Sequence, residues 1–540
     1  VPLKAYSFHH PLAFWAGCIF ITLGVLSHLP MFEHASHMNY QMVGMPMDNT
    51  MLVGMALIPL GLLLACYGLM PRLALLRVGN HTDAIHFHVA DRSPLNYQHC
   101  TLVIALLIAV IVDVMKPATL GFVMPGMVDE YELDPDSIGI LPLVALTGTA
   151  LGSIIWGQMA DKLGRRAAIL LSALMFIGTS ICGAMPSFEW NLVMCFLMGL
   201  SAGGLLPITF TLMAEMIPAQ HRGWLLVALG GLGTSAGYLA ASGAAAILEP
   251  LFSWRVLWML GLPTGILVII LNRFIPESPR FLANAGLGKE ARAILAQYNG
   301  EIDSHESDIV QKKDVESHGF MRSIMDSYAA ITLGLLGVGI AWGVVTFGFL
   351  LWLPTNLREM GMSAEATNLL LTQSGLFALP GIMLVIWLYH HWSSVKTLVL
   401  FVVLTAISLS LYGLFEWTGT LSSDKIIFAT ACLLVSSSGV IAMLIPYAAE
   451  IYPVHLRGSG SGIVAASSKF GGILGAMMGI IGVFNSLASA ALLIAIPLML
   501  FALVLLKSGI DTRGRRLEDI HAEFVNKSNN NVRAEQPDQQ

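Results

Sequence analysis

Apolar runs of about 20 residues recur along the whole chain, each closed by a short polar stretch, and that length matches the hydrocarbon thickness of a bilayer. Fourteen can be marked, at roughly 11–30, 50–70, 100–124, 137–160, 167–185, 190–215, 223–248, 254–275, 327–353, 365–389, 395–416, 425–449, 459–482 and 484–507. The runs are continuous rather than alternating, which predicts helices and excludes a barrel of dyad-patterned strands. The longest polar interruption, 283–325, divides the last twelve runs into six plus six, and another, 71–99, sets the first two apart. The expected organisation is a two-span hairpin (1–70), a connector (71–99), a six-helix half (100–282), a central loop (283–325), a second half (326–510) and a tail (511–540). Within the central loop "EARAILAQY" has helical spacing. The first run is long for the core of a signal peptide and is expected to stay as a span.

Composition agrees with the pattern. Of 540 residues 56% are hydrophobic and 11% charged, where a soluble domain carries about 25% charged residues. Most of the surface therefore faces lipid. The placement of charge says more than its sum of −6. With the N-terminus in the cytoplasm, 23 of the 28 Lys and Arg fall on the cytoplasmic side, which predicts that both termini lie inside. Arg255, Arg358 and Lys425 fall outside, and Lys116 and Lys469 lie within spans. Compact loops point to a bacterial inner membrane. The six cysteines form no CxxC pair and read as small packing residues.

An internal repeat supports the division. "AEMIPAQHRG" (214–223) returns as "AEIYPVHLRG" (449–458), so Glu215 and Arg222 have counterparts in Glu450 and Arg457 at the cytoplasmic end of the fourth span of each half. Repeated halves around a central site are a common plan of secondary transporters. Between the second and third core spans lies "GQMADKLGRRAAI" (157–169). Here Gly157 permits close helix approach and Gly164 a tight turn, while Asp161, Arg165 and Arg166 can latch the loop against neighbouring helix ends. With "PESPRFL" (276–282) and "DTRGRRLEDI" (511–520), these motifs make residues 100–520 resemble the major facilitator superfamily, in its sugar-porter branch. "FGFLLWLPTNL" (347–357) and "GSGSGIVAASSKFGGILGA" (458–476) look more like relatives that handle organic ions, of the nicotinate-transporter and synaptic-vesicle-protein type.

The resemblance implies an all-α integral membrane protein with a twelve-helix core of 6+6 pseudo-symmetric halves, here preceded by an additional hairpin. It further implies that Gly157, Asp161, Gly164, Arg165, Arg166, Glu215, Arg222, Glu450 and Arg457 form a conformational latch. The second half's counterpart of the loop, "YHHWSSVKT" (389–397), lacks the Gly-Asp-Arg pattern, so its latch is expected to be degenerate. The seventh core span, "GIAWGVVTFGFLLW", carries few of the polar residues a sugar would need.

Charges inside a span cost about 2.5–3.5 kcal/mol each at the helix centre and mark functional sites. In "IVDVMKPATLGFV" (111–123), Asp113 and Lys116 stand one turn apart before Pro117, which is expected to kink the helix there. Lys469 lies at similar depth in the eleventh core span. All three are expected to face the central cavity with a net charge of +1, joined by Gln373 and Tyr447 and lined by Trp342, Phe347 and Trp352. An anionic solute, most simply a carboxylate, would engage the two lysines while Asp113 takes up a proton and releases Lys116. The small-residue stretches "GGLGTSAG" and "GSGSG" are expected to allow close helix packing.

The outer loop of the hairpin, 28–51, holds three His and six Met without Lys or Arg. Thioether and imidazole suit copper, so His34, His37, Met42, Met45 and Met47 form a candidate metal site, against the alternative of an adaptable apolar cap. No phosphate-binding loop, HExxH or nucleophile elbow appears, so no enzyme activity and no cofactor is expected. The expected partners are a small-molecule substrate, protons and the lipid bilayer, with no nucleic acid, and a monomer is the expected state. The leading reading is a proton-coupled transporter of a small organic anion, and the rivals are a multidrug exporter and a copper-handling transporter or sensor.

Overall fold

The computed structural model describes residues 10–70, 94–134, 137–285, 287–298, 328–452 and 454–512, and of Ala219, Asn284 and residues 454–459 it describes the backbone alone. The connector, most of the central loop and the tail beyond 512 lie outside the described residues.

Among the described residues fourteen helices are long and apolar enough to cross a membrane. They are α1 (Pro11–Met38), α2 (Asn49–Leu69), α3 (Tyr97–Tyr131), α4 (Ser137–Leu163), α5 (Arg165–Ala184), α6 (Phe188–Met216) and α7 (Gln220–Phe252). The remainder are α8 (Val256–Phe274), α9 (Ala329–Glu359), α10 (Ala364–His391), α11 (Ser394–Trp417), α12 (Ser423–Ile451), α13 (Gly460–Ile480) and α14 (Leu487–Ser508). Each predicted run falls on one of them. Helix starts are set by short polar side chains: Asp48, Asn96, Ser187, Ser363 and Ser393 each accept a backbone N–H of the first turn. The central-loop segment forms the expected short helix, Gly288–Gln297, and Asn96 Nδ2 donates to the Gln297 carbonyl at 2.8 Å, which ties that helix to the start of α3.

The halves meet in a crossed pattern. α3 packs on α9, α4 on α13 and α7 on α10. Since α9, α10 and α13 are the counterparts of α3, α4 and α7, this exchange is what a two-fold relation between repeats requires. Inside the first half α4 and α6 meet through glycines: a Cβ on Gly148 would lie 2.3 Å from the Phe196 carbonyl oxygen, and one on Gly199 1.9 Å from that of Ala145. Gly157, expected to serve such an approach, faces open space instead. Its neighbour Trp156 still meets α6, donating to the Leu200 carbonyl at 2.8 Å, so Gly157 faces away from that contact.

The hairpin is a unit of its own. Gly17 and Gly24 on α1 meet Gly61 and Gly54 on α2, and each added Cβ would fall within 2.5–2.8 Å of the facing glycine's carbonyl oxygen. Small residues at such spacing let two membrane helices approach to backbone contact. The pair then lies against α5, where Ile58 reaches Gly178. That cover explains why 94% of the α5 apolar window is buried, the highest share of any span.

Two irregularities bear on the centre of the molecule. α3 runs on through Pro117 and Pro125. Pro117 has no N–H for the carbonyl of Asp113, so that carbonyl loses its helical partner. α9 contains a π-helical turn, Val345–Phe349, at mid-span.

Candidate functional site

A cavity of about 100 Å³ lies between the halves, walled by α3, α4, α6 and α7 on one side and α9, α12 and α13 on the other. A single water occupies about 10–15 Å³ on this measure, so the space admits a small molecule. Asp113 from α3 and Lys469 from α13 both line it. The rest of its wall is mostly apolar and aromatic, with Phe122, Tyr238, Trp342 and Phe347, and carries the hydroxyl residues Thr149, Thr234, Thr346, Ser437 and Ser438. The indole N–H of Trp342 is already engaged by the Ser437 carbonyl at 2.8 Å, which fixes the ring. Lys469 Nζ stands 6.0 Å from the centroid of Phe347. One hydrogen bond, Ser235 Oγ to Ser438 Oγ at 3.0 Å, crosses between the halves at this level.

Lys116 is placed differently from its expectation. It is 2% exposed, does not line the cavity, and sits with Nζ 3.1 Å from the ring centroid of Phe176 on α5. Lys116 Nζ and Asp113 Oδ1 have no hydrogen-bond partner, and the two residues do not form one of the ion pairs among the described residues. A spacing of three puts both residues on adjoining flanks of one helix, and here those flanks face different neighbours. The charged lining of the cavity is therefore one carboxylate and one ammonium, with a formal sum of zero rather than +1. Gln373 is exposed on α10 and away from the cavity. Tyr447 is buried near the end of α12, where its hydroxyl donates to the Ile510 carbonyl at 2.9 Å and accepts from Ile510 N–H at 3.1 Å. It pins α12 to the end of α14. Trp352 packs on Phe484 beside the cavity rather than in its wall.

Of the expected latch residues, Asp161, Arg165 and Glu215 come together in one network. Arg165 bridges Asp161 at 3.0 Å and Glu215 at 3.5 Å. Ser278 Oγ donates to Glu215 Oε2 at 2.5 Å. Glu277, absent from the expected set, is the hub: its Oε1 accepts the backbone N–H of Arg165 (2.7 Å), Arg166 (3.4 Å) and Ser278 (3.0 Å). A carboxylate there satisfies unpaired N–H groups at the start of α5 and complements the helix dipole. Burial nonetheless pushes the Glu277 carboxyl up to about 7. Gly164 has φ +101°, and a Cβ there would lie 2.4 Å from Glu277 Oε2, so only glycine admits both the turn and the carboxylate. Arg166 reaches Asn272 Oδ1 at 3.0 Å. Arg222 reaches the Ile217 carbonyl at 3.3 Å. Of Arg457 only the backbone is described.

The second half repeats this plan with other residues. Asp511, after α14, accepts the Ser394 N–H at 3.0 Å at the start of α11, as Glu277 does for α5. Glu450 accepts from Thr512 Oγ1 at 2.6 Å and from Tyr389 OH at 3.4 Å, where Glu215 uses Ser278 and Arg165. The latch there keeps its carboxylates, and Ser394 stands at the helix start where the first half has Arg165. The bonds named here each join residues of one half, and a Cβ on Gly223 of the first half would stand 3.9 Å from Glu450 Oε1 of the second.

At the opposite face, which carries the hairpin loop, an ion pair joins the halves. Arg358 on α9 donates to Glu249 on α7 at 2.8 Å, and Asn368 on α10 donates to the same carboxylate at 2.5 Å. Beside it Arg255, fully buried, is held by Glu130 at 2.7 Å and by the carbonyls of Gly183 and Met185. Glu130 also accepts the Met42 N–H at 2.7 Å, which fastens the hairpin loop to the end of α3. Of the loop's candidate metal residues the three methionines pack into one cluster and the two histidines stand outside it. Met42 is sealed into a cluster with Met31, Met51 and Ala184, against which Met45 and Met47 pack, while His34 and His37 are exposed. Among the described residues no group of three or more His, Cys, Asp or Glu could hold a metal ion.

Sequence reasoning passed over Glu277, Glu130, Glu249 and Tyr238. A signal existed for two of their partners, since Arg255 and Arg358 are two of three cations on the face that positive charge otherwise avoids.

A sequence profile of the Major Facilitator Superfamily matches residues 106–476. Among curated proteins, the niacin transporter NiaP of Acinetobacter baylyi is 27% identical over 80% of this chain and 98% of its own. The 4-hydroxybenzoate transporter PcaK of Pseudomonas aeruginosa is 27% identical over 72% of this chain and 87% of its own. Among solved structures, a partially occluded inward-open conformation of the xylose transporter XylE from E. coli superposes with a TM-score of 0.61 at 16% identity, over 78% of this chain and all of that one.

Proposed function

Because this chain belongs to the major facilitator superfamily, a family of membrane transporters rather than enzymes, we propose that it carries a small aromatic carboxylate by alternating access, coupled to a proton. The observation that carries this reading is the pairing of Lys469 and Asp113, from opposite halves, on one small aromatic-walled cavity. Relatives named for niacin and 4-hydroxybenzoate, both ring carboxylic acids, support the same class.

The coupling follows from charge. Uncompensated charge in a low-dielectric interior costs several kcal/mol. The empty cavity sums to zero. A bound carboxylate that pairs with Lys469 leaves Asp113 as an excess negative charge, and a proton on Asp113 removes it. Anion and proton then bind together more favourably than either alone, which is the requirement for symport. Lys116, stacked on Phe176, takes no part in binding the anion.

The face bearing the 157–166 loop is assigned to the cytoplasm of a bacterial inner membrane, with both termini inside, on the distribution of Lys and Arg. The two carboxylate-centred networks lie on that face, and the Glu249–Arg358 pair closes the outer face between the halves. Six-helix units at 100–282 and 326–510 then rock about the cavity.

Reconstituted protein with labelled 4-hydroxybenzoate or niacin tests this. An inward proton gradient is expected to drive accumulation, Lys469→Ala to abolish it, and Asp113→Asn to keep exchange while losing uphill uptake. Accumulation by Asp113→Asn equal to that of the parent would refute the coupling, and unchanged uptake by Lys469→Ala would refute the site.

A further inference from the structure

We propose that Tyr238 and Thr346 determine specificity, by recognising a second polar group on the solute, so that the preferred cargo is a ring acid with a hydroxyl or ring nitrogen rather than an unsubstituted one. This rests on the carboxylate reading above and goes further by assigning the rest of the ring.

The argument starts from how hydroxyls in the spans are satisfied. Threonines in membrane helices bond back to a carbonyl three or four residues earlier. In the cavity wall Thr149 does so to Ala145 and Thr234 to Gly230, as do Thr405 and Thr430 elsewhere. Thr346 lines the cavity and does not; its Oγ1 is enclosed and has no partner. It falls within the π-helical turn Val345–Phe349, where the carbonyl ladder is out of step with the α-helical pattern. The turn thus leaves an unpartnered hydroxyl on a cavity-lining residue, closed off from the cavity space itself in this structure.

Tyr238, on α7 of the other half, shows the same exception. The buried hydroxyls of Tyr412 and Tyr447 reach Thr430 and Ile510, and that of Tyr389 reaches Glu450. Tyr238 OH is enclosed, has no partner, and belongs to a cavity-lining residue held by ring contact with Phe122 at 5.9 Å. An enclosed polar group left unpaired is costly, and it is retained where a bound group completes it. Other unpartnered groups, such as Trp352 Nε1, Thr355 Oγ1 and Thr367 Oγ1, do not line the cavity. With Lys469 committed to the carboxylate, the two unpartnered hydroxyls, closed over beside the cavity in this structure, are the groups that a polar substituent on the ring would complete on entering. Sites built to bond a polar substituent discriminate strongly against the analogue that lacks it, because their own groups are then stranded.

Calorimetric binding to the full-length protein in nanodiscs, with benzoate, 4-hydroxybenzoate and niacin as probes, tests the assignment. The parent is expected to bind at least one substituted acid roughly 10-fold or more tighter than benzoate, the scale of one lost hydrogen bond. Tyr238→Phe, Thr346→Val or both together should bring the ratio to within about threefold, with benzoate affinity held. Thermal unfolding of each variant verifies its fold. Equal binding of all three probes by the parent, or a preference that survives the double variant, overturns the specificity assignment and leaves the carboxylate site standing. No binding of any probe overturns both readings.

Discussion

The outer closure offers the most direct energetic test. Glu249 and Arg358 are 2.8 Å apart with side chains only 9% and 15% exposed, so water screens the pair little, and Asn368 gives the same carboxylate a second bond. Glu249→Gln keeps the shape and removes the charge; its single carbonyl oxygen can serve Arg358 or Asn368, not both. Hydrogen bonds to a charged group contribute about 1.5–3 kcal/mol net. These bonds join α7 to α9 and α10, so they exist when this face is closed and are lost when it opens. Each 1.4 kcal/mol is a factor of about ten, so the open population should rise by roughly 10- to 100-fold. The readout is a single cysteine at Thr149, in the cavity wall, on a background without the six native cysteines. Its labelling by a membrane-impermeant thiol reagent from the outer face should accelerate by about tenfold or more in Glu249→Gln. Glu365→Gln, exposed beside the same opening, should leave the rate unchanged. Unaltered labelling in a folded Glu249→Gln protein would mean that the pair does not hold the face closed.

Three further outcomes follow from the same geometry. Glu130→Ala strands the fully buried Arg255 and releases the Met42 N–H, so it should cost about 3–5 kcal/mol in thermal unfolding and expose the hairpin loop to protease; an unchanged melting temperature would contradict it. Glu277 is raised from its ordinary value to about 7, so the folded state holds its proton more tightly than the unfolded state does. Its contribution to stability is therefore greatest at acid pH, falls as pH rises through about 7, and is flat above, and Glu277→Gln, which retains the accepting oxygen, should flatten that part of the melting profile. Gly343→Ala would place a Cβ 2.2 Å from the Ser468 carbonyl oxygen and force α9 from α13, so transport should fall steeply while Gly361→Ala, facing open space at φ +92°, costs only local strain.

The number and approximate limits of the spans were legible in the sequence, because insertion depends on the local sum of apolar transfer energies, which a linear pattern contains. The repeat was legible too, since Glu215 and Glu450 keep their place in each half and each meets the segment after the last span of its half. The site was only half legible. A charge in a span announces a function but not a direction, and one turn of helix separates a cavity wall from a packed interior. Tertiary contact sent Lys116 to Phe176 and left Asp113 with Lys469. Likewise nothing along the chain distinguishes Tyr238 from Tyr447, or Thr346 from Thr149. What sets them apart is whether a carbonyl lies within reach, and the packing of neighbouring helices and one π-helical turn decide that. Hydropathy is a property of segments and survives in sequence; satisfaction of a hydrogen bond is a property of pairs, and distant pairs exist only once the chain has folded.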